Sequence, residues 1–268
     1  MQTILLPLNL THNSGLINGE RMSDYQVLHQ TEDEHGPLIV LDDKEARILA
    51  FGENDEQSKL LKAAPHIPQH TYVQAMLLVL LYSQPKSAIV LGLGGGGLIH
   101  ALRHFDAGIK LTAVELRADV IELAKRYFQL PLSKKLKVIN QDATQFLALG
   151  DHKRVDIIFT DIYSADGVDA AQVSESFIEQ CAALIKADGY LVLNCWKEHS
   201  KNRELLAFLE LHFIEVRACL TGSANWVVIA GKTRRDISSS ALKHNAQALS
   251  QKLDFQLGRS LTRFDIWQ

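Results

Sequence analysis

Five glycines crowd into the six residues Gly92-Leu93-Gly94-Gly95-Gly96-Gly97. Gly92, Gly94 and Gly97 satisfy G-x-G-x-x-G, a weak signal by itself. Here it follows the apolar run Ala88 to Leu91 and opens a helical pattern. Glu115 ends the next strand, close to the roughly 20-residue spacing of nucleotide-binding folds. Glycines let the backbone approach a ligand, and a carboxylate in that place accepts both hydrogens of a ribose diol. So many glycines lower stability more than a simple turn would require. The pattern therefore points to a bound nucleotide, either a dinucleotide or an adenosyl sulfonium.

Two further carboxylates favour the sulfonium. Asp142-Ala143 follows the third strand, where an Asp side chain reaches an adenine amino group. Asp161 ends the fourth, at the carboxyl edge where open α/β sheets place their ligands.

These residues are positioned by strands alternating with helices. Thr71 to Tyr82 reads as a buried helix, and strands follow at Ala88–Leu91, Lys110–Glu115, Leu136–Ile139, Val155–Thr160 and Tyr190–Cys195. Helices lie between them, as over Ala118 to Phe128, where Val120, Leu123, Ala124, Tyr127 and Phe128 share a face. Fully apolar strands in such alternation imply a doubly wound, mostly parallel sheet. Phe213–Cys219 and Trp226–Ala230 would close it as an antiparallel pair, and a last helix is predicted over Ala241 to Leu253. Ahead of this, Tyr25–Leu28, Leu38–Leu41 and Ala46–Phe51 read as short strands. The break Ala64-Pro65-His66-Ile67-Pro68 then divides a small β-rich domain, 1–65, from the α/β domain, 66–268.

Composition bounds the function. The chain of 268 residues is 47% hydrophobic and 22% charged, which suits a folded globular protein. Its 28 basic and 31 acidic residues leave a net charge of -3 without a basic run, so the footprint of a nucleic-acid binder is missing. Cys181, Cys195 and Cys219 have neither zinc-site nor disulfide spacing and read as buried thiols, and no metal is expected. No basic leader with an apolar core opens the chain, and the longest apolar stretch, Ala75 to Tyr82, is too short for a bilayer. A cytoplasmic protein without membrane partners is expected.

The chain resembles the spermidine synthase-like proteins, relatives of the polyamine aminopropyltransferases with the class I methyltransferase fold. The likeness runs through Leu91-Gly92-Leu93-Gly94-Gly95-Gly96, Thr112-Ala113-Val114-Glu115-Leu116, Asp142-Ala143 and Asp161-Ile162-Tyr163-Ser164-Ala165-Asp166-Gly167. It ends in Leu193-Asn194-Cys195-Trp196 and Trp226-Val227-Val228-Ile229-Ala230. The resemblance implies a seven-stranded sheet of order 3-2-1-4-5-7-6, a small N-terminal β domain and a homodimer. It also implies S-adenosylmethionine or its decarboxylated form as the donor nucleotide. Gly92, Gly94, Gly95, Gly96, Glu115, Leu116, Asp142 and Ala143 would hold that nucleotide, together with Gln26 from a Tyr-Gln pair. Asp161 would be the acid/base and orienting residue for an incoming amine, its plainer reading being a cap or loop-binding Asp. Tyr72, Tyr163 and Asp166 would line the acceptor pocket, or else be half-buried tyrosines and a solvated acidic loop. His66 and His70 either close over the site or are exposed loop histidines.

Departures from the family pattern matter. Gly95 stands where spermidine synthases carry an Asp that meets the donor amine, and the Tyr-His-Glu stretch is replaced around Tyr72-Val73-Gln74. Three functions follow. The first is aminopropyl transfer from decarboxylated S-adenosylmethionine to a polyamine or other small amine. The second is methyl transfer from S-adenosylmethionine to a small acceptor, its carboxylate received by glycine-loop amides. The third is a nucleotide-binding homologue without turnover.

Overall fold

The computed structural model describes residues 16–17, 20–21, 25–52, 55–164 and 167–268. A bridge of β1 (Leu16–Ile17) and β2 (Glu20–Arg21) precedes a four-stranded antiparallel sheet. That sheet runs in sequence order through β3 (Gln26–Asp33), β4 (Gly36–Asp42), β5 (Ala46–Ala50) and β6 (Glu56–Leu61). β4 and β5 carry the predicted apolar runs. β6 escapes a hydrophobicity reading, because Glu-Gln-Ser-Lys offers no apolar alternation before its final leucines.

The larger sheet alternates with helices as the apolar pattern requires. In chain order come α1 (Thr71–Met76), β7 (Ser87–Leu91), α2 (Gly97–Phe105), β8 (Lys110–Glu115), α3 (Ala118–Tyr127), β9 (Leu136–Asn140), α4 (Ala143–Ala148) and β10 (Val155–Thr160). A short pair, β11 (Tyr163–Ser164) and β12 (Gly167–Val168), precedes α5 (Glu175–Leu184), β13 (Ile185–Trp196), α6 (Arg203–His212), β14 (Glu215–Leu220) and β15 (Asn225–Gly231). The chain ends with α7 (Ser239–Leu253), α8 (Gly258–Leu261) and β16 (Phe264–Ile266). The predicted helix over 71–82 is α1 followed by a 3-10 segment, Leu77–Leu81.

Among the described residues the large sheet has eight strands, ordered β16-β14-β15-β13-β10-β7-β8-β9, where seven were expected. β16 is the addition, pairing antiparallel with β14. β7, β8, β9, β10 and β13 run parallel, and β15 reverses. Apolar clusters cover both faces, which is why the central strands are apolar throughout.

The small sheet docks on α3. Leu38, Val40, Leu49 and Leu60 pack with Val120, Leu123 and Phe128. Phe128 is fully buried, and truncating such a side chain costs about 3–5 kcal/mol. Arg117, 7% exposed, fastens the joint. Its guanidinium donates to both Asp33 carboxylate oxygens, at 2.9 and 2.8 Å, and to the Gly36 carbonyl, and lies over the Phe51 ring. No helix among the described residues is long and apolar enough to cross a membrane.

Candidate functional site

Parallel strands bring their carboxyl ends to one edge, so residues just past β7, β8, β9 and β10 converge without being near in sequence. The glycine loop leaves β7 there and turns into α2. Gly92 has φ +90°, and a Cβ on it would stand 2.2 Å from the Asp161 carbonyl oxygen. Only glycine allows the two neighbouring strand ends to lie this close.

Glu115, 9% exposed at the end of β8, holds the loop's shape. Its Oε2 accepts from the Leu93 and Gly94 amides at 2.9 and 3.4 Å, and its Oε1 from the Arg117 amide at 3.0 Å. Oε1 keeps a second lone pair for a hydroxyl. The Gly95 amide donates to the Ser58 hydroxyl at 2.9 Å and the Gly96 amide to the Leu93 carbonyl. Every loop amide from Leu93 to Gly96 is thus engaged within the protein.

Leu116 follows Glu115 with 47% of its surface exposed, and Ala143 is buried at the start of α4. Asp142 caps that helix, its Oδ1 accepting from the Gln145 amide at 2.9 Å. Its second oxygen is the one a ligand amino group would use. The donor set therefore fits an adenosine-type nucleotide: carboxylates at successive strand ends for hydroxyl and amino donors, with an exposed apolar side chain between them.

Asp161 follows β10. The Asn194 side-chain amide donates to its Oδ1 at 2.8 Å, and the Tyr72 hydroxyl bonds the same carboxyl group. Burial raises its pKa to about 6, aided by the Glu115 charge and opposed by the bonds from Asn194 and Tyr72. Tyr72 and Tyr163 are both pushed upward, first by burial and then by the Asp161 charge. Both stay phenols at neutral pH.

A chain of buried amides holds this group in place. Asn225 donates to the Asn194 Oδ1 at 3.1 Å and to the Tyr163 hydroxyl at 3.2 Å. Ser223 donates to the Asn225 Oδ1, and Thr71 shares a hydrogen bond with Ser223. Gln172, fully buried, donates to the Asn194 carbonyl and accepts from the Ile162 amide. Asn194 and Asn225 were not among the expected site residues. Their signal was present as lone amides beginning or interrupting otherwise apolar strands.

The small sheet also reaches the cleft. Besides Ser58, β6 carries Glu56, whose carboxylate lies 3.6 Å from His70 and acts on Tyr72. His70 stacks on Tyr72, and burial with the nearby Lys59 charge lowers its pKa to about 4. His70 thus joins the wall of the site rather than an exposed loop. Gln26 is not brought to this cluster. It is exposed on β3 and lines an open depression with Asp42, Asp43, Lys44, Glu45 and Lys62. Its neighbour Tyr25 turns inward and bonds Lys59. Asp166 lies outside the described residues. Cys181, Cys195 and Cys219 are buried free thiols, with burial pushing Cys195 up to about 12 and Cys219 to about 11.

Residues 66–221 match the spermine/spermidine synthase domain. A polyamine aminopropyltransferase from Neisseria meningitidis serogroup A is 25% identical over 244 residues, 88% of this chain and 92% of the relative. A probable spermidine synthase from Corynebacterium glutamicum superposes with a TM-score of 0.69 at 16% identity, covering 84% of this chain and 86% of that one. Human methyltransferase-like protein 13, solved in complex with SAH, superposes with a TM-score of 0.59 at 23% identity, over 68% of this chain and 89% of that one. Both superpositions speak to the fold.

Proposed function

Because the chain belongs to the spermine/spermidine synthase family, we propose that it is a transferase moving an aminopropyl group from decarboxylated S-adenosylmethionine to a polyamine. One observation carries the reading most directly. Asp161 is a carboxylate held at two points beside the glycine loop, with a pKa raised to about 6.

When bound, the donor supplies an electrophilic carbon beside a sulfonium. Glu115 would take its ribose, Asp142 its adenine amino group, and Leu116 and Ala143 its ring. An amine at neutral pH carries a proton and is no nucleophile. Asp161, ionised at pH 7 and above, accepts that proton as the new C–N bond forms and the sulfur leaves with the C–S electron pair. Asn194 and Tyr72 fix the orientation of the carboxyl, while Tyr163 lines the acceptor side.

Methyl transfer from S-adenosylmethionine is the second reading, favoured by the lack of a carboxylate at Gly95. Two features weigh against its simplest form. The loop amides from Leu93 to Gly96 already have partners, so they are not waiting for a donor carboxylate. A Cβ on Gly95 would also meet Ser58 and Phe128 at 2.9 Å each, so the absent Asp reflects packing as much as donor choice.

The decisive experiment supplies the full chain with each nucleotide in turn and putrescine or spermidine as acceptor. Aminopropylated product together with 5′-methylthioadenosine is expected. Methylated product from S-adenosylmethionine alone would overturn the assignment. The family likeness further supports a cytoplasmic homodimer, a division near residue 65, and the 3-2-1-4-5-7-6 methyltransferase-type order for the first seven strands. Sedimentation of the purified chain tests the dimer.

A further inference from the structure

On the face of the large sheet covered by α2 and α7, three side chains from distant parts of the chain point at one another. His66 comes from the Pro65–Pro68 connection, His104 from the last turn of α2, and Asp254 from the residue that ends α7. The Nε2 atoms of both histidines lie 3.1 Å from the same Asp254 Oδ2. Their rings stack with centroids 3.9 Å apart, and the three donor atoms all fall within 4.8 Å of one another. Asp254 has φ +61°, the left-handed turn that ends α7 and that glycine, asparagine and aspartate adopt most often.

We propose that His66, His104 and Asp254 form a binding site for a divalent transition-metal ion, with zinc the best match. Two imidazole nitrogens and one carboxylate oxygen are zinc's usual donors, at bond lengths of about 2.0–2.2 Å. In a tetrahedron of such bonds, neighbouring donors stand about 3.3 Å apart. The two observed separations of 3.1 Å are close to that edge, and the stacked rings would tilt apart to turn both Nε2 lone pairs onto one ion. The side chains are 23%, 35% and 53% exposed, which leaves a fourth position for water. Magnesium, which prefers oxygen donors and octahedral geometry, is a poor match.

An ion there would tie together the two walls of the cleft. The His66 segment runs directly into His70 and Tyr72, and α2 starts where the glycine loop ends. The site itself lies apart from Asp161, and its role is bracing, not chemistry.

Titration of chelator-treated full-length protein with zinc chloride, followed by calorimetry, tests the assignment. One zinc ion per chain is expected, and saturation should raise the unfolding midpoint by about 5 °C at a hundredfold excess over Kd. His104→Gln and Asp254→Asn should each weaken binding at least tenfold, with the midpoint of the metal-free protein little changed. Asn is chosen because it tolerates the left-handed backbone, and His66→Gln serves if either variant fails to fold. Magnesium at the same concentration should shift nothing. Absence of zinc binding, equal affinity in the variants, or an equal response to magnesium would each overturn the proposal.

Discussion

The Asn194 side-chain amide donates to the Asp161 carboxylate at 2.8 Å, from a strand that is otherwise apolar where it crosses the core. One amide thereby orients the Asp161 carboxyl, while its carbonyl oxygen is fixed by Asn225. The hold on Asp161 is thus distributed over β13 and β15.

Replacing Asp161 by Asn keeps the shape and removes the base. The turnover rate should fall by about 10²–10⁴-fold, the usual contribution of a positioned general base. Nucleotide affinity, measured by calorimetry, should stay within a few-fold of the parent.

The pH dependence follows from the same group. The free enzyme needs Asp161 ionised, so kcat/KM should rise with pH through an apparent pKa of about 6 and then level. Asn194→Ala removes a donor that favours the charged form, so the acidic limb should move upward. An unmoved limb would show that Asn194 has no hold on the carboxyl.

Stability should run the other way. Asp161 titrates higher in the folded chain than its ordinary 3.8. Its contribution to stability is therefore full below about pH 4 and is lost as pH rises through 6. Asp161→Asn should raise stability at pH 7.5 by roughly 1–3 kcal/mol in denaturant unfolding, with no gain at pH 4.

Restoring the family's loop acid should not restore its role. In Gly95→Asp the new Cβ would crowd Phe128 and Ser58. The expected outcome is a loss of about 1–3 kcal/mol in denaturant unfolding. Preference between carboxylated and decarboxylated donors, measured by calorimetry, should not change sign.

The Arg117–Asp33 joint predicts acid lability. Burial alone would raise the Asp33 pKa, but the Arg117 hydrogen bond and charge carry it below the ordinary value. Its contribution is present above about pH 4 and lost as pH falls through the lowered pKa. Asp33→Ala leaves the Arg117 guanidinium with only the Gly36 carbonyl and the Phe51 ring, and should cost about 1–3 kcal/mol at neutral pH, read from the unfolding midpoint.

What was legible in the sequence was whatever one segment could express alone. Apolar strands alternating with amphipathic helices announced the large sheet, and Glu115, Asp142 and Asp161 stand out in the sequence because each lies at or just past the end of a strand. β6 stayed hidden because Glu56 and Ser58 answer to the glycine loop and the cleft, and only Leu60 reaches the apolar core. Ser58, Glu56 and the Asn194–Asn225 pair acquire their roles only through partners far away in the chain. His66, His104 and Asp254 have no motif spacing at all, since their meeting depends on how α2 and α7 pack. Gln26 is exposed at the start of β3, whereas Tyr25 just before it is buried and bonds Lys59.

The eighth strand has a consequence of its own. β14 would otherwise end the large sheet with a row of open backbone groups, a ready template for another chain. β16 occupies that row at Arg217, Ala218 and Cys219, and Trp267 behind it is buried with its indole bonded to the Ser200 carbonyl. β16 is then the edge itself, only three residues long, and so short an edge offers another chain little to pair with. A chain trimmed before Phe264 would leave the longer strand β14 as the edge, its backbone groups at Arg217, Ala218 and Cys219 unpaired.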